Sequence, residues 1–302
     1  MKYIFVINGR SDKSIFREEI QGQIDEFCPG AMQYYTIGVG DGTRFVRSYC
    51  EFHQKEEVCF VACGGSGTFN EVASGLIGYE NKSVAILAYG TTNDFTKYYP
   101  GRNHRSLRDI VENGETVQID AIRCNDDYAF NVINIGFDSR AAYETNLYLE
   151  AGVKYGYQRG VSKSIFTSRF NNFRITVDGE RITKGLTLLC TVSNAQYCGG
   201  SFRCAPRAKV DDGLMDICLI RGVSLLGFLM ILPKFIKGTH LDNKFCMRRM
   251  VYRQARKVEF SSKNLTYISN DGEILASDHF DFEIIDKAVT LRLPCLKKED
   301  AQ

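Results

Sequence analysis

Apolar residues follow one rhythm up to about residue 120 and a different one beyond it. In the first part, short apolar runs at 3–7, 33–39, 58–63 and 84–88 alternate with segments whose apolar positions recur every three to four residues. Phe16, Ile20, Ile24 and Phe27 make one such helical face, opening after Ser11 or Asp12 as a cap and closing at Pro29-Gly30. Phe45, Val46, Tyr49 and Cys50 make another. Strand alternating with helix predicts a parallel sheet with right-handed crossovers, which binds ligands at the carboxyl ends of its strands. After Asp120 the runs at 128–135, 173–177, 186–193, 215–220, 257–260 and 280–285 read as short strands. Asp178-Gly179, Asp212-Gly213 and Asp271-Gly272 punctuate them as hairpin signals, so this part reads as mainly antiparallel β. The expected organisation is an α/β domain over 1–119 with a return segment 286–302, and a β-rich domain over 120–285. With no long linker between them, the two domains are expected to share a cleft.

Two strands of the first domain run into glycine turns. The first is Gly64-Gly65-Ser66-Gly67-Thr68-Phe69-Asn70-Glu71 and the second is Gly90-Thr91-Thr92-Asn93-Asp94-Phe95. A strand that stops at glycines and restarts as a helix aims several backbone N–H groups at one spot, where the helix end adds partial positive charge. Two such turns on successive strands point to a nucleotide site. Thr68 and Glu71 also fit a capping box, and Asn93 or Asp94 fits a helix cap. Caps need no cluster of glycines, whereas close approach of backbone to phosphate does.

Composition narrows the function. A formal net charge of +2 argues against a dedicated nucleic-acid binder. The eleven cysteines are odd in number, lack a Cys-x-x-Cys pair and sit mostly in apolar runs, as expected of reduced thiols in the cytoplasm. Four scattered histidines disfavour zinc. The run 4–7 is too short for a secretory signal, and the longest apolar run, 223–233, is about half of what spans a bilayer. Leu225, Leu226, Phe228, Leu229, Ile231 and Leu232 are expected to pack in the core. A basic stretch follows, with Lys234, Lys237, Lys244, Arg248, Arg249, Arg253, Arg256 and Lys257, so the alternative is a helix resting on an anionic bilayer.

Two later motifs complete a pattern: Ala205-Pro206-Arg207-Ala208-Lys209-Val210-Asp211-Asp212-Gly213 and Asn270-Asp271-Gly272-Glu273. In this order, over about 8–293, the four motifs resemble the diacylglycerol kinase catalytic-domain family, especially its bacterial lipid kinases. The resemblance implies a Rossmann-like α/β domain of the NAD kinase and diacylglycerol kinase type, followed by a β-sandwich. It implies an ATP- and Mg²⁺-dependent enzyme that moves the γ-phosphoryl to a hydroxyl of diacylglycerol or a related lipid at the membrane surface. Around the nucleotide it would place Asn8, Thr36, Gly64, Gly65, Ser66, Gly67, Thr68, Asn70, Glu71, Gly90, Thr91, Asn93 and Asp94. Asp212 would bind the metal with the carbonyls of Lys209 and Leu214, backed by Asp120. Asp271 would be the base, supported by Glu273. The symmetrical hairpin at Asp178-Gly179-Glu180 reads as structural. Two positions depart from the family pattern: Ser66 stands where it has Asp, and Asn8-Gly9 where it has Asn-Pro. Ser66 cannot supply the missing charge, so a nucleotide-binding protein without turnover stands as one alternative. An NAD kinase-like enzyme, which would share the glycine loop, stands as another, with Asn93-Asp94-Phe95, Asp271-Gly272-Glu273 and Ser66 itself favouring the lipid branch over it. The lipid acceptor is not legible, and a homodimer and a peripheral position at the inner membrane face are left open.

Overall fold

A computed structural model describes residues 1–9, 14–90, 93–167, 170–200 and 202–296. Its contacts divide the chain into two compact units, 1–120 with 287–302 and 121–286. Ser11 and Asp12, the expected caps of the first helix, lie outside the described residues.

Unit 1 is an α/β layer. Its elements are β1 (Lys2–Ile7), α1 (Ser14–Phe27), β2 (Met32–Tyr35), α2 (Asp41–Phe52), β3 (Val58–Gly64), α3 (Ser66–Leu76), β4 (Lys82–Ala88), a 3₁₀ turn (Phe95–Tyr98) and α4 (Leu107–Val111). β3 and β4 are buried along their whole length, as fits strands covered on both faces. β1 pairs in parallel with β2 and β3, and β3 in parallel with β4. Helices close over the sheet through Ile20 and Ile24 of α1 and Leu107 and Ile110 of α4, which pack with Phe5, Val61 and Leu87. β2 is shorter than the expected 33–39. Its chain leaves the sheet at Thr36, whose N–H donates to the Ile7 carbonyl, and Ile37 and Val39 stand in solvent.

β5 (Glu115–Cys124) carries the chain out of unit 1. Unit 2 contains β6 (Asp127–Ala129), β7 (Val132–Gly136), α5 (Phe137–Glu150), α6 (Gly156–Thr167), β8 (Phe173–Val177), β9 (Glu180–Arg181), β10 (Thr187–Ser193) and β11 (Met215–Arg221). It continues with α7 (Leu225–Lys237), a 3₁₀ turn (His240–Asp242), α8 (Lys244–Met247), β12 (Met250–Ala255), β13 (Lys257–Asn270) and β14 (Glu273–Leu293). The last part of β14 returns to unit 1 and pairs in parallel with β4. The strands of unit 2 run antiparallel in the order β12-β11-β10-β7-β13-β14, with the β8–β9 hairpin beside β13. One buried cluster holds Ile133, Ile135, Val192 and Phe260, and another holds Val132, Leu189, Phe228 and Ile231.

Several expectations need correction. The run 128–135 breaks into β6 and β7 around Phe130 and Asn131. Helices α5 and α6 and strand β12 were not foreseen, and β13 and β14 far outrun their apolar cores. Asp178-Gly179 and Asp271-Gly272 do turn hairpins, with positive φ at both residues of each pair. Asp212-Gly213 does not form a tight hairpin turn, because β10 and β11, though paired antiparallel, are joined by a long connection that it merely ends. α7 buries Gly227, Phe228, Ile231 and Phe235 but leaves Leu225, Leu226, Leu229 and Met230 exposed, so only half of its apolar surface is core. Among the described residues, no helix is long and apolar enough to cross a membrane. All eleven cysteines are free, and burial pushes the Cys50 and Cys59 thiols up to about 11, leaving them unreactive.

Candidate active site

The two glycine turns sit at the carboxyl ends of neighbouring strands, where Gly64 pairs with Ala88. They are built against each other. The N–H groups of Tyr89 and Gly90 both donate to the Gly64 carbonyl at 3.0 Å. A Cβ on Gly90 would fall 2.1 Å from the Gly65 Cα, and one on Gly64 would fall 2.3 Å from the Thr68 hydroxyl. Gly90 is therefore required by turn-to-turn packing and Gly64 by the fold of its own turn, not only by a ligand. Gly67 differs, since a Cβ there would meet nothing within 4 Å. The Ser66 hydroxyl accepts from the Asp94 N–H at 3.3 Å and so ties the second turn to the first.

The expected capping box at Thr68 and Glu71 is not formed. α3 starts three residues earlier than that cap requires, at Ser66 with Gly65 as its cap, which puts Glu71 too far along the helix to reach back. Its carboxylate instead accepts from the N–H groups of Gly40 (2.9 Å) and Gly42 (2.8 Å), fastening the start of α2 to α3. Asn70 accepts from the Ser74 hydroxyl within its own helix. Thr36 holds the turn after β1, accepting from the Gly9 N–H at 3.3 Å. A Cβ at Gly9 would lie 2.2 Å from the Thr36 carbonyl oxygen, so this turn has no room for the proline of the family pattern.

A cavity of about 370 Å³ opens over these turns, lined by Asn8, Arg17, residues 64–68, Tyr89 and Gly90 among others. It gathers the start of α3, whose first amides lack acceptors within the helix and point outward. Arg17 contributes a cation and donates to the Gly9 carbonyl at 2.7 Å. Its role was not legible, because a charge beside Phe16 on an amphipathic helix reads as solvated surface. Thr36, Asn70, Glu71, Asn93 and Asp94 stand outside the lining. Asn93 donates to the Gly90 carbonyl at 2.9 Å, and Asp94 pairs with Lys97 at 2.8 Å, so both shape the second turn. Thr91 lies outside the described residues.

In unit 2, Asp271 is a hub. Its carboxylate accepts from the N–H groups of Phe130 (2.7 Å), Asn131 (3.1 and 3.2 Å) and Val132 (2.8 Å). Asn194 and Asn270 hold the same segment through the carbonyls of Phe130 and Tyr128. Glu273 is exposed one residue beyond the turn. Asp216, which sequence reasoning missed inside an apolar strand, is buried, and burial pushes its carboxyl above the ordinary range. The Tyr252 hydroxyl and the Gln254 amide donate to it and oppose that shift.

Lys209, Asp212 and Leu214 fall in unit 2, on the connection before β11. Asp212 is exposed and accepts from the Leu214 N–H at 3.2 Å, while Arg256 donates to the Gly213 carbonyl at 3.0 Å and fixes the turn. The carboxylate and the carbonyls of Lys209 and Leu214 are hard oxygen donors of the kind that Mg²⁺ takes while keeping several waters. Among the described residues, no three His, Cys, Asp or Glu side chains gather into a metal cage. Asp120 belongs to unit 1, where its buried carboxylate accepts from the Lys287 N–H at 2.7 Å.

Residues 2–124 match the diacylglycerol kinase catalytic domain, and residues 131–293 match the YegS C-terminal NAD kinase beta sandwich-like domain. A diacylglycerol kinase of Bacillus subtilis (strain 168) is 25% identical over 276 residues, covering 89% of this chain and 88% of its own. A YegS-like lipid kinase of Shewanella frigidimarina (strain NCIMB 400) is 28% identical over 239 residues, covering 76% and 75%. A solved diacylglycerol kinase structure from Bacillus anthracis str. Sterne shares the fold at TM-score 0.73, with 20% identity and 96% of each chain covered. An α/β unit with paired glycine turns, joined to an antiparallel unit of YegS type, places the chain in the diacylglycerol kinase catalytic-domain family.

Proposed function

We propose that the protein is an ATP- and Mg²⁺-dependent lipid kinase that phosphorylates a hydroxyl of diacylglycerol or a related lipid. The observation that carries this reading is the cavity over the two interlocked glycine turns, with Gly67 facing open space and Arg17 beside it. Amide dipoles and a guanidinium there suit a polyphosphate. Bound at Asp212 and the carbonyls of Lys209 and Leu214, Mg²⁺ would neutralise charge on the transferred group. Phosphoryl transfer through a loose transition state needs positioning more than a strong base. Asp271 fits that need, because an ionised carboxylate has about four lone-pair positions and its three amide donors fix its orientation. Glu273 supports it.

Ser66 favours a second reading, a nucleotide-binding protein without turnover. The two are separated by incubating the protein with labelled ATP, Mg²⁺ and a lipid panel, with NAD as control. Label in lipid supports the kinase; label only in NAD overturns the lipid assignment. A silent wild type that gains turnover as Ser66→Asp is a degenerate kinase.

A further inference from the structure

We infer that the exposed face of α7 docks the protein onto an anionic bilayer. This helix presents two different sides. Phe228, Ile231 and Phe235 are buried, whereas Leu226 (68% exposed), Leu229 (55%) and Met230 (43%) form a stripe in solvent at helical spacing. The patch extends past the helix start. The Leu186 carbonyl accepts from the Gly222 N–H, Phe170 packs beside Gly222, and Leu186 and Phe170 are themselves half exposed. So many large apolar side chains in one place exceed the scattered singles normal on a surface.

Charge selects the occupant. Between Arg221 and Lys257 the sequence carries nine cations and a single acid, Asp242, which is paired with Arg207. Lys234 and Lys237 end the helix itself, and Lys244 and Arg248 are exposed just beyond it. A protein partner of ordinary composition would not need this one-sided charge. A surface of anionic headgroups above acyl chains does, and a helix of 13 residues, about 20 Å long, is suited to lie in that plane. This deepens the lipid-kinase reading by naming where the substrate is met, yet the readouts of docking, emission and sedimentation, need no turnover.

The chain contains no tryptophan, so one placed at Leu229 reports alone. With vesicles of equal parts phosphatidylglycerol and phosphatidylcholine, Leu229→Trp emission should shift to the blue, while Phe52→Trp in unit 1 should not shift. Leu226→Ser with Leu229→Ser should weaken vesicle sedimentation at least about tenfold. Lys234→Glu with Lys237→Glu should weaken it comparably at low salt and little at high salt. Turnover on detergent-dispersed lipid should be unchanged in both double variants, which separates failure of docking from failure of the kinase reading. An unshifted Leu229→Trp, vesicle binding unaffected by the serine pair, or a shift that follows protein concentration without vesicles (a second copy covering the face) would each overturn the inference.

Discussion

The chain uses Asp-Gly-Glu twice, and the two turns are nearly the same object. Asp178 and Asp271 both adopt positive φ, 45° and 47°, each followed by a glycine at positive φ. Each donates its own N–H to a neighbouring strand, Asp178 to the Lys257 carbonyl and Asp271 to that of Val132. Each turns its carboxylate onto amides of that same strand region, Asp178 onto Arg256 and Lys257, Asp271 onto Phe130, Asn131 and Val132. Tripeptide and backbone therefore do not tell the two turns apart. Their settings do: Asp178, Gly179 and Glu180 all stand in solvent, whereas Asp271 is flanked by the buried Asn131, Asn194 and Asn270.

The largest expected difference is in turnover. Asp271→Asn should cost at least about a hundredfold in kcat, the ordinary reach of a proton-handling group, and Glu273→Gln about tenfold. Asp178→Asn should leave kcat within error in a labelled-ATP assay. Equal losses at Asp178 and Asp271 would mean that both aspartates only brace strands. Stability should differ less. Asp271→Ala strands three amides and should cost about 3 kcal/mol, against about 1 kcal/mol for Asp178→Ala, whose amides water can reach. Urea denaturation at constant slope checks this. The smallest effect lies just past the far end of β7, the strand that Asp271 grips. Burial pushes the Asp138 carboxyl up to about 7, opposed in part by the Ser139 N–H. A folded-state pKa above the unfolded one means that stability is fullest at low pH and falls as pH rises from about 4 through 7. Asp138→Asn should remove that slope, gaining about 1 kcal/mol at pH 8 after allowance for the solvent this side chain still meets, and nothing at pH 4.

Legibility followed physical cause. β3, β4 and their turns were readable because buried parallel strands are apolar throughout and glycines mark where they stop. α5 was not, because the face it buries includes Ser139, Glu144 and Thr145 alongside Ala141, which erases the apolar period. Glu144 tolerates that burial through ion pairs with Arg140 and Lys163, partners that no local pattern announces. β13 was cut short in the reading because Lys263 and Asn264 interrupt it, where the pairing with β14 shifts register between Ser261 and Thr266. In the candidate site, the glycine turns could be located but the purpose of each glycine could not. Gly90 is fixed by a clash with Gly65 of the other turn, and Gly64 by one with Thr68 of its own. Glu71 satisfied a local capping signature and was drawn away by a longer-range pair of amides, so tertiary geometry outweighed the short motif.

The hydrogen bond from Lys287 to Asp120 joins the two points where the chain leaves unit 1 and comes back. The 166-residue span from Ala121 to Asp286 is therefore a cassette whose ends already touch, held by this bond and by the pairing of β5 with β14. Such an insert can be exchanged, trimmed or enlarged without pulling on the host sheet. A lineage could thus replace the insert while inheriting the paired glycine turns intact.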